Sequence, residues 1–145
     1  MGKELPKEHL KERILKFLNK RKVLVLCTCN NNIPRATPLD FYNDGLDIYM
    51  TPAGGAKVEN LKANPIASIG IYTPLSEGEV QGLQITSTKI KFIYPDDDDY
   101  KHARKIVKRK AKMFLKIVPE KIDYLDYSLS KEGYSRFQVL ELNDD

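Results

Sequence analysis

Apolar residues recur at helical spacing near the start of the chain and at strand spacing through most of the remainder. A helix over residues 6–20 places Leu10, Ile14, Phe17 and Leu18 on one side. Charged residues occupy most of the other positions of this segment, as on a helix that rests on a core with one face. The pattern therefore predicts an amphipathic first helix.

The segment after this helix is apolar without polar alternation. Residues 23–29 read VLVLCTC, which predicts a strand that is covered on both faces. The three asparagines 30–32 tolerate the positive φ angles of a tight turn, so residues 33–42 should return antiparallel. Asp44-Gly45 predicts a second hairpin, which leads into residues 46–51. We therefore expect a meander of three strands.

The middle of the chain predicts a short helix and two more strands. The helix covers residues 57–64 and ends at Asn64-Pro65, and a strand over residues 66–72 follows it. The longest strand candidate runs from Val80 to Tyr94, and its apolar residues change from odd to even positions along the way. One inserted residue explains this change, so we predict a β-bulge within residues 86–89.

Basic residues are concentrated in residues 101–116, KHARKIVKRKAKMFLK, after four aspartates at 96–99. We interpret the segment as one helix closed by Pro119. One side of it would carry an apolar stripe formed by Tyr100, Ala103, Ile106, Val107, Ala111 and Phe114. A nucleic-acid or anionic lipid surface is an alternative, but no aromatic residues alternate with the bases, which favours a solvated face. Residues 122–127 and 135–142 predict the last strands.

Composition limits the class of protein. The 145 residues are 41% hydrophobic and 30% charged with a net charge of +4, which fits one globular domain over residues 1–145. No segment resembles a membrane span or a signal peptide, so we expect a cytoplasmic protein. Cys27 and Cys29 share one face of a strand and are interpreted as small buried thiols. His9 and His102 lie in charged helical stretches, and we predict no metal site.

The stretch TPAGGAKVENL, residues 51–61, contains a glycine pair between a strand and a helix. It matches neither the P-loop nor the dinucleotide-binding glycine motif. Thr51 nevertheless places a hydroxyl at the strand end, Gly54 and Gly55 permit close backbone approach, and Lys57 adds a positive charge at a helix N-terminus. These features favour an anion. A plain glycine turn remains the alternative.

Several motifs resemble the FMN-binding split-barrel family that includes pyridoxamine phosphate oxidase. They are the strand motif at residues 26–28, the segment 34–39, Thr51, Lys57, and the N-L-x-x-N-P helix at residues 60–65. The match extends over roughly residues 8–95. It implies a mainly β, α+β fold, a six-stranded antiparallel Greek-key split β-barrel with flanking helices. It also implies a homodimer with FMN at the interface.

The resemblance further implies which residues contact the cofactor. Arg35 and Lys57 would supply charges to the FMN phosphate, and Thr51 would supply a hydroxyl. Gln84 would reach the cofactor from the partner subunit, with Gln81 as an alternative. The complete implied set is Arg35, Ala36, Thr37, Pro38, Met50, Thr51, Lys57 and Gln84, in which residues 36–38 offer backbone groups to the ring and Met50 packs at the pocket edge.

Departures from the family pattern narrow the implied function. Residues 87–89 are Ser-Thr-Lys where the family has glycine and alanine, and Ala56 replaces a second basic residue of the oxidase. The oxidase's C-terminal arginine and histidine pattern is absent. The resemblance therefore implies an FMN-dependent oxidoreductase of unknown substrate and electron donor, with no catalytic residue assigned. The alternatives are a non-catalytic FMN-binding electron carrier, a deazaflavin-dependent reductase of the same fold, or a haem-binding protein.

Overall fold

The structure is a computed structural model that describes residues 2–142, apart from the side chain of Ser87. Within these residues, eight strands and three α-helices are joined by two short 3-10 helices, at Leu75–Glu77 and Tyr127–Glu132. The order along the chain is α1 (Lys7–Lys20), β1 (Val23–Asn30), β2 (Ile33–Asp40), β3 (Tyr42–Asp44), β4 (Asp47–Met50), α2 (Ala56–Ala63), β5 (Ala67–Thr73), β6 (Gln81–Ile93), α3 (Tyr100–Val107), β7 (Phe114–Asp126) and β8 (Phe137–Glu141).

The strands form one antiparallel sheet that curls back on itself. Its order is β2-β1-β5-β6-β7-β4-β3, and β8 is added to β7. The two ends of this order, β2 and β3, are separated by Phe41 alone, so they act as one bent strand that brings the sheet edges together. Counted this way, the barrel has the six strands that were predicted, and β8 is an addition. The fold is the expected α+β split barrel.

The predicted meander is confirmed, with a bent middle strand. Asn31 and Asn32 have φ angles of 54° and 62°, which make the tight turn between β1 and β2. Gly45 has a φ of 61° in the turn between β3 and β4. The middle strand pairs with β1 before Phe41 and with β4 after it. The predicted helices at residues 6–20 and 57–64 are confirmed as α1 and α2, and residues 66–72 as β5.

The predicted β-bulge is also present. The pairing of β6 with β7 shifts between Ile85 and Ser87 and again between Ser87 and Thr88. The register skips one residue on each strand, Thr86 on β6 and Glu120 on β7, so the pairing beyond the bulge is not offset by a net residue. On both strands the inward-facing side chains change between odd and even residue numbers at this point. The bulge bends β6 and β7, the two longest strands of the barrel.

The single basic helix over residues 101–116 was a wrong prediction. Helix α3 ends at Val107, where Lys108 adopts a left-handed conformation with a φ of 64°, and β7 begins at Phe114. Pro119 does not close a helix but lies inside β7, at the bulge. The predicted apolar stripe still packs together, because its residues from α3 and from β7 share one small core cluster. Residues 122–127 belong largely to β7, and residues 135–142 contain β8.

Strand β1 is covered on one face only, which corrects the expectation of two covered faces. Leu24, Leu26 and Thr28 are buried, whereas Val23 and Val25 are 54% and 36% exposed. The run VLVLCTC lacks polar alternation because its outer face is apolar and uncovered in a single chain. Cys27 and Cys29 lie on this outer face and are half-buried free thiols, rather than buried ones.

Candidate functional site

The barrel is split beside β2. The pairing of β3 with β4 reaches Tyr42 and Tyr49 and then stops, and the chain beyond β4 continues as the loop of residues 51–55. Continuing the same antiparallel register would direct this loop along β2, toward Arg35. Ala53, Gly54 and Gly55 have positive φ angles of 58°, 81° and 84°, so the loop curves away instead of pairing.

Hydrogen bonds place α2 at the same end of the barrel as Arg35. The Asn60 side chain donates to the Thr28 hydroxyl at 3.1 Å, and the Asn64 side chain donates to the Cys29 carbonyl at 2.8 Å. Thr28 is the register partner of Arg35 on β2. The N-L-x-x-N-P motif thus fixes α2 against β1, one strand away from Arg35.

The start of α2 offers unsatisfied donors and positive charge. Its N-cap residue is Gly55, which has no side chain to cap the first N–H groups, and the helix dipole adds partial positive charge there. The Lys57 ammonium donates to the Gly54 carbonyl at 2.9 Å, which leaves two of its three donors. Within the part of the chain that the structure describes, no carboxylate pairs with Arg35 or Lys57. These groups suit a phosphate.

Thr51 makes a contact that the sequence did not predict. The Arg109 guanidinium, in the loop after α3, donates to the Thr51 hydroxyl at 2.8 Å. Because the hydroxyl accepts this bond, its own proton remains available to another acceptor. Arg109 had been assigned to a solvated helix face, and no motif in the sequence pairs it with Thr51.

The other predicted residues divide between the two faces of the sheet. Ala36 and Pro38 are exposed on the outer face, where they pair in register with Cys27 and Val25, whereas Thr37 points toward the barrel interior. Met50 is fully buried in the core, so its side chain does not line this site. The contacts of α2 therefore bring Lys57 toward the end of the barrel where Arg35 lies, whereas Thr51 follows β4 directly and contacts Arg109. Ala36 and Pro38 lie along the outer face.

The two candidate glutamines have different surroundings. The Gln81 side chain donates to the Tyr124 hydroxyl at 3.2 Å and to the Asp126 carboxylate at 3.0 Å, so it belongs to a structural cluster. Gln84 is exposed on the outer face, in register with Gly70 of β5. Only Gln84 is therefore placed to reach a ligand on that face.

The outer face around Gln84 is a shallow apolar depression of about 670 Å³. Gly70 and Gly82 line the base of the depression without side chains that would fill it. A Cβ at Gly82 would lie 3.0 Å from the Ile71 carbonyl oxygen. Large apolar side chains are exposed around it, namely Val23, Val25, Tyr72, Phe137 and Val139. Contiguous apolar surface of this kind is typical of an interaction surface.

The most buried charge of the described chain lies apart from these surfaces. Asp126 is 1% exposed and accepts hydrogen bonds from Ser128, Gln81 and Tyr124. Burial alone would raise the pKa of Asp126, but these hydrogen bonds outweigh burial and hold its pKa below the ordinary value. Burial and the neighbouring carboxylate raise the pKa of Tyr124. The cluster joins β6, β7 and, through Arg13 at 3.5 Å, α1.

Neither histidine is placed as a ligand of a buried group. His9 is exposed on α1, and the His102 ring lies 2.8 Å from the Asp44 carboxylate at the surface. Over residues 2–142, no three His, Cys, Asp or Glu residues are grouped so that they could hold a metal ion. The same described residues contain no helix that is long and apolar enough to span a membrane.

Comparison with known proteins gives one family and several structures of the same fold. The family model described as pyridoxamine 5'-phosphate oxidase matches residues 10–126. No curated protein matches the chain. Among solved structures, a protein of the pyridoxinephosphate oxidase family from Clostridium acetobutylicum, related to general stress protein 26, is 14% identical with a TM-score of 0.65, and the match covers 97% of this chain and 99% of that one.

Two other similar structures carry different cofactor descriptions. A FAD-binding protein from Mesorhizobium loti is 16% identical with a TM-score of 0.63, over 84% of this chain and 93% of that chain. A heme binding protein from Mycobacterium smegmatis is 16% identical with a TM-score of 0.68, over 94% of this chain but only 59% of that chain. At these identities the likeness concerns the fold alone.

Proposed function

Because the chain belongs to the pyridoxamine 5'-phosphate oxidase family, we propose that it is a homodimeric flavoprotein that binds FMN and acts as an oxidoreductase on a small molecule. One observation carries the proposal. Hydrogen bonds to β1 hold α2, with Lys57 and its uncapped first turn, near the register position of Arg35, and Thr51 begins the loop that leads into this helix, which supports a phosphate site beside β2.

The chain's own residues explain how a phosphate would be held. Arg35 supplies a planar fork that suits two phosphate oxygens, and Lys57 supplies a compact charge. Thr51, oriented by Arg109, has a hydroxyl proton to donate. The first N–H groups of α2 complete the set. The positive φ angles at Gly54 and Gly55 let the backbone approach closely, and no heavy atom lies within 4 Å of a Cβ built at Gly54.

The strand that carries Arg35 also offers backbone groups to a ring. β2 pairs with β1 on one side only, so alternate N–H and C=O groups of residues 36–38 are free on the side of the split. The flavin itself supplies hydride or single-electron transfer, and the protein supplies position and electrostatics. Exposed Ala36 and Pro38 add small or rigid surfaces, against which a planar ring can lie.

The outer face supports the homodimer. It presents Val23, Val25 and Tyr72 to solvent, beside Gly70 and Gln84. A second copy of the chain on this face would bury these apolar groups and would bring its Gln84 near the same end of the barrel pair. We therefore place the flavin site at the dimer interface. The free thiols of Cys27 and Cys29 fit the cytoplasmic location that we propose with it.

Other uses of the same site make distinct predictions. A deazaflavin coenzyme or FAD shares the phosphate-bearing half of FMN, and an electron carrier would hold FMN without turning over a substrate. Haem would need an axial ligand. The His102 ring is hydrogen-bonded to the Asp44 carboxylate, and His9 is exposed on α1, so neither histidine lies at the split. FMN is the proposal because the site presents charges for one phosphate at the split.

The first experiment identifies the cofactor. The purified protein should show the visible absorption of a bound flavin or take up added FMN tightly, and mass spectrometry of the released compound should give the mass of FMN. The mass of FAD or of a deazaflavin would redirect the assignment, and protein that neither carries nor takes up a flavin would refute it. Reduction by a nicotinamide donor with turnover on an acceptor would separate the enzyme from the carrier.

Lys57→Ala tests the phosphate contact directly. We expect FMN affinity to fall by about tenfold or more, because one charge-assisted hydrogen bond is lost, while thermal stability is unchanged. Lys101→Ala is the matched control, since Lys101 is an exposed lysine at the start of α3, and it should retain FMN. Unchanged affinity of the Lys57 variant would mean that residues 51–61 form only a turn.

A further inference from the structure

A second concentration of positive charge lies on the far side of the residue 51–55 loop. A groove of about 600 Å³ separates α2 from the segment of residues 109–113. We call it the basic groove, and the residues that matter for binding are Thr51, Lys62, Tyr94, Arg109, Lys110 and Lys112. Arg35 and Lys57 do not line it, so it differs from the proposed FMN phosphate contacts, with which it shares Thr51 and Gly54 of the loop.

Four cationic side chains line this groove without acidic partners. Across residues 2–142, every ion pair involves bases other than Lys62, Arg109, Lys110 and Lys112. Four like charges around one cavity repel each other, and an anion of two or more charges would relieve that repulsion. The predicted helix over residues 101–116 would have placed Arg109, Lys110 and Lys112 on a solvated face. The structure instead gathers them at a concave surface.

The walls of the groove are held in place by specific contacts. The Tyr100 hydroxyl donates to the Ala111 carbonyl at 2.7 Å and accepts from the Ala111 N–H at 3.3 Å, which fixes the segment after α3. Arg109 is fixed on Thr51 at 2.8 Å. On the opposite wall, the Lys62 ammonium lies 6.0 Å from the centre of the Phe92 ring. A site that is held in place before binding loses less entropy when it binds.

We propose that the basic groove binds a small organic phosphate with two or more negative charges, such as a diphosphate ester. Its volume falls within the range of about 300–1,000 Å³ that is usual for small-molecule sites. Tyr94, which is 38% exposed, offers an aromatic surface beside the charges for the organic part. The concave shape favours a compact ligand over a nucleic-acid strand, for which a row of aromatic side chains would be expected.

Titration calorimetry with pyrophosphate and with ADP tests the proposal on the full chain, with FMN at saturation. We expect one site per chain, with ADP bound more tightly than pyrophosphate. In the variant Lys110→Ala/Lys112→Ala, affinity should fall by about tenfold or more. Both lysines are exposed, so the fold should be retained. The matched control is Lys101→Ala/Lys105→Ala, which removes the same charge from exposed positions of α3 outside the groove and should bind as the wild type does.

Several outcomes would overturn the proposal. They are the absence of pyrophosphate and ADP binding, an equal loss in both double variants, or tighter binding of a single-stranded oligonucleotide than of ADP. The Lys57→Ala variant distinguishes this site from the flavin site. It should bind pyrophosphate normally, and loss of binding there would assign the anion to the residue 51–57 loop. If FMN does not bind at all, the same titrations without FMN still decide whether the basic groove is a site.

Discussion

The carboxylate of Asp126 has hydrogen-bond donors on several sides and almost no contact with water. Two of its donors come from Ser128, and the others come from Gln81 and Tyr124. Arg13 on α1 bridges Asp126 at 3.5 Å and the surface residue Glu132 at 2.5 Å. At the scale of single residues, this cluster links the first helix to the barrel beside the buried apolar face of the helix.

Asp126→Asn should destabilise the fold by about 2–3 kcal/mol. The NH2 group of the asparagine would face donors that now bond to the carboxylate, so at least one of these hydrogen bonds would be lost. Glu132→Gln is the control. Its side chain is 46% exposed, so its removal from Arg13 should cost less than about 1 kcal/mol. Urea unfolding at pH 7 measures both. Equal losses in the two variants would contradict the distinction between the buried and the exposed partner.

The same residue predicts the pH dependence of stability. The folded-state pKa of Asp126 lies below its unfolded-state value, so its contribution is complete above the unfolded pKa of about 4 and is lost as pH falls through the folded pKa. Unfolding free energy should therefore decline below about pH 4 in the wild type. The decline should be shallower in Asp126→Asn, and parallel curves would argue against this assignment.

Sequence reasoning named the residues of the proposed phosphate site but not the contacts that orient them. Arg35, Thr51 and Lys57 stand in motifs with fixed spacing, so the sequence could propose them as one site. The bonds from Arg109 to Thr51 and from Asn60 to Thr28 join residues 58 and 32 positions apart in the chain. No local pattern encodes such contacts, and they follow only from how the sheet closes.

At the scale of elements, the segment from Tyr100 to Asp126 shows why apolar residues at helical spacing can predict a helix that is too long. The stripe that suggested one long helix is real as a set of packed residues, but α3 supplies only part of it and β7 supplies Phe114. Phe114 and Leu115 are both buried, because β7 begins where the sheet is covered on both sides. The bulge was predictable because it leaves a parity change in the sequence, whereas the helix end at Lys108 leaves none.

Lys108→Gly should stabilise the protein by about 0.5 kcal/mol, since a residue with a side chain is strained at a positive φ and glycine is not. The comparison variant is Lys105→Gly, inside α3 and exposed, which should destabilise by about 1 kcal/mol. Thermal unfolding of the two variants should therefore shift in opposite directions. A loss of stability in both would contradict the assigned end of α3.

At the scale of the whole molecule, the outer sheet face is the surface on which the proposed dimer depends. Its apolar side chains explain the uninterrupted apolar run of β1, which the sequence alone indicated as a strand covered on both faces. In the proposed dimer that prediction would hold, with the second cover supplied by another copy of the chain. A single sequence reports that a face is apolar, but not which molecule covers it.

Val25→Asp should convert the dimer to a monomer, because it places a charge at the centre of the apolar face. Ile33→Asp is the control. Ile33 is 69% exposed in the hairpin after β1 and does not line that face, so this variant should remain dimeric. Light scattering during gel filtration gives the mass, and bound flavin should decrease with the dimer. A monomeric wild type would remove the basis for a shared site.

The bend at Phe41 has a consequence for the direction of binding. After Phe41 the chain pairs with β4 as β3, whereas before Phe41 it pairs only with β1 as β2, and the split opens between β2 and the chain that follows β4. The split is therefore closed at the Tyr42 end and open at the Arg35 end. The closed end carries the aromatic pair Tyr42 and Tyr49, and the charges of Arg35 and Lys57 lie toward the open end. We therefore expect an elongated ligand with one negatively charged end to lie along the split in one orientation, with that end toward Arg35. The connection of the strands at Phe41 determines this direction.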